Sequence, residues 1–192
     1  MPETSPEICI VGVGDGGGVA LHRILDQGLH GVVSVVINTY SLALSTCRAD
    51  HCIQIGTHGL GSGGIPQVGR QAAEASIDDL YFALRGASRV FIVAGMGGGT
   101  GTGAAPVIAR VASDLGAEVI GVVSLPFTFE GMQRRRLAQQ GVKQLEKYAA
   151  ILVAVEGDRL LRFAHNRELP SLEQAFSLMA GALAWHVLAR MI

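Results

Sequence analysis

A glycine-rich run between an apolar segment and a helical segment is the feature that most constrains the fold. It reads Gly95-Met-Gly-Gly-Gly-Thr-Gly-Thr-Gly-Ala-Ala-Pro106. Residues 90–94 before it are typical of a buried strand, and residues 107–115 after it have helical spacing, with a proline near the first turn. Backbone N–H groups and the positive end of the helix dipole then meet at one spot, which suits a phosphate group. Glycines let an anion approach closely, and the hydroxyls of Thr100 and Thr102 can donate to it. The flanking strand and helix disfavour the alternative, a flexible linker.

Apolar strands and amphipathic helices alternate along the whole chain. Strands are predicted at residues 7–13, 32–37, 53–55, 90–94, 119–124 and 151–155, and helices at 19–25, 66–84, 107–115, 134–148 and 172–192. This alternation predicts an α/β fold, a Rossmann-like three-layer sandwich with a mostly parallel sheet. Loops rich in glycine or polar residues follow four strands, at 12–18, 56–66, 95–106 and 125–131. We expect them to converge at the carboxyl edge of the sheet, where such folds bind ligands.

Two of the predicted helices carry expectations about burial. Pro66 suits the first turn of the helix at 66–84, whose buried face is predicted to consist of Val68, Ala72, Ala75, Ile77, Leu80 and Leu84. Residues 172–192 are apolar nearly all round, which predicts a helix buried on most sides. A membrane span is disfavoured there, because the run is short and carries His186 and Arg190.

Charge and cysteine content exclude several function classes. The 192-residue chain has a net charge of −1 at pH 7, without the basic footprint of a nucleic-acid binder. Lys143 and Lys147 are its two lysines and neither forms a Gly-Lys-Ser/Thr tripeptide, so a phosphate site must rely on backbone amides, hydroxyls and a metal ion. Cys9, Cys47 and Cys52 are predicted to be buried free thiols in a reducing compartment. The first residues have no features of a signal peptide, so we expect a cytoplasmic protein.

A second glycine motif offers a different interpretation. Gly12-x-Gly14-x-x-Gly17 matches the dinucleotide-binding fingerprint, which is a weak signal when it stands alone. A NAD site would place Asp or Glu near the end of the second strand to hold the ribose, and Asn38 stands there instead. No Tyr-Lys or His-Asp catalytic arrangement can be placed either. An NAD(P)-dependent oxidoreductase is therefore the least favoured hypothesis.

The run Gly97–Gly103 resembles the signature loop of the tubulin/FtsZ family, and its flanks resemble the FtsZ branch. The resemblance covers about residues 8–188. It implies that residues 1–192 form a single GTP-binding domain ending in a long apolar helix, about 172–192, with the family's C-terminal domain absent. It further implies that GTP or GDP, together with Mg²⁺, is bound by Gly14, Asp15, Gly16, Gly17, Gly18, Asn38, Gly63, Gly64, Gly97, Gly98, Gly99, Thr100, Gly101, Thr102, Gly103, Pro126, Glu130 and Arg134. In the family, the glutamate holds the ribose and the arginine lies near the nucleotide.

Several positions depart from the family pattern, mostly around the base. The departures are Val19, Tyr40, Ile65, Gly157, Ala180 and Gly181. Glycines that match the phosphate-binding positions are kept, while polar groups near the base are lost. Because a buried hydrogen-bond partner contributes roughly 1–3 kcal/mol, we expect weak base selectivity.

The resemblance also bears on hydrolysis and partners. In the family, acidic residues in the loop after the last helix activate water on a neighbouring subunit's GTP, and this sequence stops at Ile192, before that loop. We therefore expect a cell-division or cytoskeletal GTPase domain that associates with itself or with another FtsZ-type subunit and does not hydrolyse GTP alone. The alternative is a degenerate regulatory or capping relative. A β-branched residue at Gly98 or Gly101 is expected to abolish nucleotide binding and leave the chain folded.

Overall fold

The structure is a computed structural model, and it describes residues 8–28, 30–163 and 171–191. The strands are β1 Ile8–Val13, β2 Val32–Asn38, β3 His51–Gln54, β4 Arg89–Gly95, β5 Glu118–Leu125 and β6 Ile151–Glu156. The helices are α1 Gly14–Leu25, α2 Ser41–Leu44, α3 Pro66–Ala75, α4 Ile77–Leu84, α5 Gly99–Asp114, α6 Met132–Leu145, α7 Gly157–Phe163 and α8 Leu172–Leu188, with a 3₁₀ turn at Thr128–Glu130.

The six strands form one sheet in the order β3-β2-β1-β4-β5-β6, and every pair of neighbours is parallel. All the carboxyl ends of the strands therefore lie at one edge. The predicted α/β class and the Rossmann-like layering are confirmed, and the sheet is wholly parallel across the described strands. Near-continuous apolar runs such as β1 and β4 suit a sheet that is buried on both faces.

Side chains of the central strands alternate between two separate hydrophobic cores, one on each face of the sheet. In β1, Cys9, Val11 and Val13 pack in the core under α3, α4, α5 and α6, whereas Ile10 packs in the core under α1 and α8. The two-residue period of a strand makes this division unavoidable, because successive side chains point to opposite faces. The sheet is thus covered by a helical layer on each side, as the sequence predicts.

The glycine-rich run differs from its prediction in one respect. Most of it lies inside helix α5, which begins at Gly99, and the loop itself is only residues 96–98. Pro106 stands inside this helix, not near its first turn. The expectation of a separate glycine turn before the helix is therefore wrong: the glycines form the first turns of α5, where close packing against neighbouring backbone requires residues without side chains.

The single helix predicted at 66–84 is also wrong, because it breaks at Ser76 into α3 and α4. The break turns the second half onto the core, where Leu80 and Leu84 are fully buried. Val68 and Ala75, predicted to be buried, are exposed on α3. Two short helices, α2 and α7, were not predicted, since each spans no more than seven residues.

Helix α8 has a buried side and an open side. Met179, Leu183 and Val187 are buried against α1 and the sheet, while Phe176 and Trp185 are 47% and 64% exposed. The expectation of burial on most sides is therefore wrong for the outer face. Within the described parts of the chain, no helix combines the length and apolar character that crossing a membrane requires.

The cysteines differ from the prediction of three buried free thiols. Cys47, in the loop after α2, and Cys52 of β3 form a disulfide, because the turn between them brings their Cα atoms to 6.3 Å. Cys9 is free and buried, as expected. Its burial in the core, with a smaller contribution from the charge of Asp50, raises the pKa of the Cys9 thiol to about 12.

Candidate functional site

An open chamber lies where the carboxyl ends of β1, β2 and β4 meet the first residues of α1 and α5. We call it the polar chamber; its volume is about 330 Å³. Both helices begin at its wall, so their first-turn N–H groups have no partner within their own helix and the positive ends of two helix dipoles face the same space. The residues that line it are Val13–Gly16, Asn38–Tyr40, Leu60–Gly64, Gly95, Gly98–Gly101 and Arg134.

Three buried hydroxyls connect the segments around the polar chamber. The hydroxyl of Thr100 lies 2.7 Å from that of Thr39 and 3.1 Å from that of Ser62. One contact joins α5 to the end of β2, and the other joins it to the loop before α3. The sequence analysis predicts Thr100 as a ligand donor and does not identify Thr39 or Ser62. Nothing in the local pattern marks those two residues, because their partners are distant in sequence.

Asn38 positions the acidic residue of the polar chamber. Its side-chain amide donates a hydrogen bond of 2.8 Å to the Oδ1 atom of Asp15, and its Oδ1 atom accepts one of 3.2 Å from the backbone N–H of Tyr40. Tyr40 in turn forms an antiparallel bridge with Leu60. Asn38 therefore fixes both the carboxylate at the start of α1 and the loop that closes the chamber.

A second chamber, which we call the apolar chamber, adjoins the first and has a volume of about 350 Å³. The two share Asp15, Gly16, Gly95, Gly98 and Arg134, so they form one continuous cleft. The rest of the apolar chamber is lined by Val19 of α1, by Met96 and Ser124–Phe127 at the ends of β4 and β5, by Glu130, and by Phe176, Met179, Ala180 and Leu183 of α8.

The loop after β5 is held in place by two carboxylates. Glu130 accepts a hydrogen bond of 3.0 Å from the backbone N–H of Phe127 and an ion-paired one of 2.7 Å from Arg134. Asp158 at the start of α7 accepts a hydrogen bond of 2.9 Å from the backbone N–H of Thr128. The predicted Glu130 and Arg134 are thus brought together at the rim of the cleft, where the glutamate side chain is only 12% exposed.

An aromatic cluster forms the outer wall of the apolar chamber. The rings of Phe127 and Phe129 stack at 4.9 Å, and Phe176 of α8 meets Phe127 edge-on at 5.6 Å. A Cβ atom on Gly157 would lie 2.6 Å from the Phe127 ring, so glycine at this position makes room for the ring. The sequence analysis does not find this cluster, because it joins a loop to a helix almost fifty residues away.

Thirteen of the eighteen predicted site residues line the cleft, and five do not. The thirteen are Gly14, Asp15, Gly16, Asn38, Gly63, Gly64, Gly98, Gly99, Thr100, Gly101, Pro126, Glu130 and Arg134. The five are Gly17, Gly18, Gly97, Thr102 and Gly103. Thr102, for example, is buried, and its hydroxyl accepts a hydrogen bond of 2.7 Å from the N–H of Gly97. That contact holds the loop at residues 96–98 against helix α5.

The glycines of α5 fall into two groups. An added Cβ at Gly101 would collide with the carbonyl oxygen of Gly95, and one at Gly103 would collide with that of Pro66. A Cβ at Gly98 would meet no protein atom within 4 Å and would extend into open space beside the cleft. The collision at Gly101 argues against the expectation that a β-branched residue there leaves the fold undisturbed, whereas the open surroundings of Gly98 are consistent with it.

Acidic side chains are sparse around the cleft. Among the described residues, Asp15 and Glu130 are the two carboxylates that line it. The described ranges also contain no group of three or more His, Cys, Asp or Glu side chains arranged to hold a metal ion.

Comparisons with known proteins agree on one family. The family model described as Tubulin/FtsZ family, GTPase domain, matches residues 7–165. The chain is 47% identical over 170 residues to the cell division protein FtsZ of Rhizobium radiobacter, which covers 87% of this chain and 29% of that protein. It is 46% identical over 168 residues to FtsZ of Caulobacter vibrioides, which covers 86% and 33% respectively. The chain therefore spans about a third of the length of these relatives.

Solved structures give the same result. An empty FtsZ dimer of M. jannaschii superposes with a TM-score of 0.89 at 36% identity, covering 95% of this chain and 53% of that one. A GTPγS-bound protofilament of CetZ2 from Haloferax volcanii superposes with a TM-score of 0.82 at 26% identity, covering 94% and 57%. The family match spans the strands and loops that build the cleft, and the chain belongs to the tubulin/FtsZ family, of which it represents the GTPase domain.

Proposed function

We propose that this chain is the nucleotide-binding domain of an FtsZ-like cell-division protein that acts in the cytoplasm and binds GTP and GDP through their phosphates. One observation carries the proposal: the start of α1, the end of β2, the loop before α3 and the start of α5 converge on the polar chamber. Their backbone N–H groups and two helix dipoles form a site for an extended anion without a lysine.

The two chambers divide the nucleotide between them. The polar chamber receives the phosphates, at Gly14–Gly16, Gly63–Gly64 and Gly98–Gly101. The apolar chamber receives the sugar and the base, with Pro126, Glu130 and Arg134 at the ribose. In this arrangement Thr102 holds the loop at Gly97 by its hydrogen bond, Gly17 and Gly103 pack against neighbouring backbone, and Asn38 positions the Asp15 carboxylate.

The position of Asp15 supports a bound Mg²⁺ ion. Its carboxylate lines the polar chamber, where it would repel phosphate oxygens unless a cation lay between them. Mg²⁺ in nucleotide sites is usually held by one or two carboxylates, the phosphates and several waters. Asp15, kept in place by Asn38, fits such a role, and the ion would neutralise the charge on the phosphate oxygens.

Hydrolysis requires a group that positions the attacking water. Glu130 has both oxygens engaged by Phe127 and Arg134, and Asp15 already accepts a hydrogen bond from Asn38. The chain's own contribution is then to bind and orient the triphosphate with backbone donors, while the water-activating acids come from a neighbouring FtsZ-type subunit. The engagement of both Glu130 oxygens, together with the assignment of Asp15 to the metal ion, is what favours the second candidate, a regulatory or capping subunit that binds nucleotide and never hydrolyses it.

Binding is tested by calorimetry with GTP and GDP in the presence of Mg²⁺. The wild-type chain and the Gly181→Ala variant are expected to bind both nucleotides, because Gly181 lines neither chamber and a Cβ there meets its nearest atom at an ordinary 3.7 Å. Gly98→Ala, the matched change inside the cleft, is expected to lose at least about tenfold in affinity, or 1.4 kcal/mol. Equal affinities for the two variants would contradict the proposed phosphate site.

Hydrolysis is tested by phosphate release from Mg²⁺-GTP. The purified chain is expected to show no turnover, and slow turnover is expected when a full-length FtsZ supplies the neighbouring surface. Absence of turnover in that mixture would favour the regulatory or capping alternative. Magnesium-dependent turnover by the pure chain, lost in Gly98→Ala, would show that the chain needs no partner.

A further inference from the structure

Beyond the first turn of α1, helices α1 and α8 contribute only hydrocarbon and thioether side chains to the apolar chamber. Val19 of α1 and Phe176, Met179, Ala180 and Leu183 of α8 line it. Their backbone polar groups lie within helices and are used in helical hydrogen bonds. A base held between Val19 and these residues of α8 meets apolar surface and no side-chain donor or acceptor from them.

The polar side chains of the apolar chamber lie at its other end. Among the described residues they are Asp15, Ser124, Glu130 and Arg134. Asp15 and Arg134 also line the polar chamber, and Glu130 is paired with Arg134. A Cβ on Gly95, which lines both chambers, would lie 3.6 Å from the Ser124 hydroxyl, so this group also sits near the junction. These groups are placed to meet the sugar and the phosphates.

The aromatic cluster completes an apolar enclosure. Phe176 is 47% exposed and lines the chamber, and Phe127 is fixed behind it, because Gly157 leaves space for its ring. An aromatic face stacks on any purine, whatever its substituents. Such a wall selects bases by the size and planarity of their rings.

We propose that the apolar chamber accepts a purine base by stacking and shape and does not select guanine over adenine, so that this chain is a purine nucleoside triphosphate binder. The inference rests on the proposed function, namely that the polar chamber binds the phosphates. Its physical basis is that hydrogen-bonding sites and apolar pockets differ in how strongly they discriminate between similar ligands. A site built to hydrogen-bond a ligand rejects analogues by about 10⁴- to 10⁵-fold, whereas an apolar pocket discriminates by only about 10- to 200-fold.

Calorimetry of the full chain with Mg²⁺-GTP, Mg²⁺-ATP, Mg²⁺-CTP and Mg²⁺-tripolyphosphate tests the inference. GTP and ATP are expected to bind within about 200-fold of each other, and CTP and tripolyphosphate more weakly, because they offer less or no ring surface. A GTP preference above about 200-fold, the upper limit for an apolar pocket, would overturn this inference and leave the proposed function standing. Failure of all four ligands to bind would overturn both.

A variant pair shows whether the base lies in the apolar chamber. Val19 is 51% exposed, so polar replacements are compatible with the fold. Val19→Asp places a carboxylate against the base, where guanine offers two donors, N1–H and N2–H, and adenine offers one donor, N6–H, beside the N1 acceptor, which repels the carboxylate. The ratio of GTP to ATP affinity is expected to rise at least about tenfold, and the extra charge cancels in this ratio because both ligands carry the same triphosphate. Val19→Thr is the control with an unchanged ratio. An unchanged ratio in Val19→Asp would overturn the placement of the base.

Discussion

The two chambers of the cleft are built by different means. The polar chamber is formed by backbone at the start of two helices, and its walls are joined by the hydroxyls of Thr39, Ser62 and Thr100. The apolar chamber is formed by side chains from two helices that are distant in sequence. Backbone donors are fixed by the glycines that permit the conformation, whereas side-chain contacts change with every substitution. The polar chamber can therefore keep its backbone hydrogen-bond donors while the side chains of the apolar chamber change.

The largest effect is expected from filling the junction of the two chambers. Gly98 has an extended backbone, with φ −86° and ψ 176°, which a β-branched residue adopts easily. Gly98→Val adds its side chain where the structure leaves open space. We expect Mg²⁺-GTP and Mg²⁺-tripolyphosphate to lose affinity together by about 100-fold, or 2.7 kcal/mol, with an unchanged melting temperature. Calorimetry and thermal unfolding measure the two quantities.

Gly101→Val provides the contrast three residues further along, inside α5. Its Cβ would collide with the Gly95 carbonyl oxygen, so this variant is expected to lose stability as well as binding. A Gly101→Val protein with a wild-type melting temperature would show that α5 can shift, and the packing role assigned to its glycines would be wrong.

A smaller effect, confined to the apolar chamber, is expected from Phe176→Ala. Stacking of a base on an aromatic side chain contributes about 1–3 kcal/mol; for a half-exposed ring we expect the lower part of this range, a fall of about 5- to 30-fold in GTP affinity. Tripolyphosphate has no base and should bind the variant as tightly as the parent. Phe176 is 47% exposed, so its loss leaves the main core intact. An equal loss for both ligands would contradict the separation of the two chambers.

The sequence predicts the polar chamber better than the apolar one, and the reason is physical. Glycine runs and apolar strands are local signals, so the strand-to-helix units and their convergence can be predicted without knowing any contact. The family resemblance adds thirteen residues that do line the cleft. What local signals do not show is whether a glycine borders the ligand space or packs against backbone, as the difference between Gly98 and Gly101 illustrates.

Contacts between distant segments were largely beyond prediction. The hydroxyl network, the aromatic cluster and the disulfide of Cys47 and Cys52 each depend on segments that only the finished fold brings together. The break at Ser76 has the same origin: helical periodicity continues through it, and the core below α4 decides where the chain turns. Val19 and Ala180 stand out in the sequence, while the apolar enclosure that they help to form does not.

Loss of the hydroxyl network is expected to lower the free energy of unfolding more than it lowers the affinity for tripolyphosphate. Thr100→Val removes a buried hydroxyl that contacts Thr39 and Ser62, and a lost buried partner costs about 1–3 kcal/mol. We expect that loss in the free energy of unfolding, with a decrease of no more than about tenfold in tripolyphosphate affinity. Thr100→Ser keeps the hydroxyl and should recover most of the stability. Urea unfolding of both variants decides it, and a loss in Thr100→Ser without one in Thr100→Val would assign the effect to the methyl group, which valine keeps.

The smallest effect is expected at Asp50, beyond both chambers. Its Oδ2 atom accepts hydrogen bonds of 2.6 and 2.8 Å from the hydroxyl and the backbone N–H of Ser34. These bonds, the hydroxyl's first, hold the pKa of Asp50 below its usual 3.8. A lowered carboxyl pKa adds stability above the unfolded-state pKa, and this stability is lost as the pH falls through the folded-state pKa. The free energy of unfolding should therefore decrease below about pH 4, and the decrease should be smaller in Asp50→Asn. Urea unfolding from neutral to strongly acidic pH measures this difference. At neutral pH the variant should bind tripolyphosphate like the parent, and a changed affinity would mean that the β3 edge is coupled to the polar chamber.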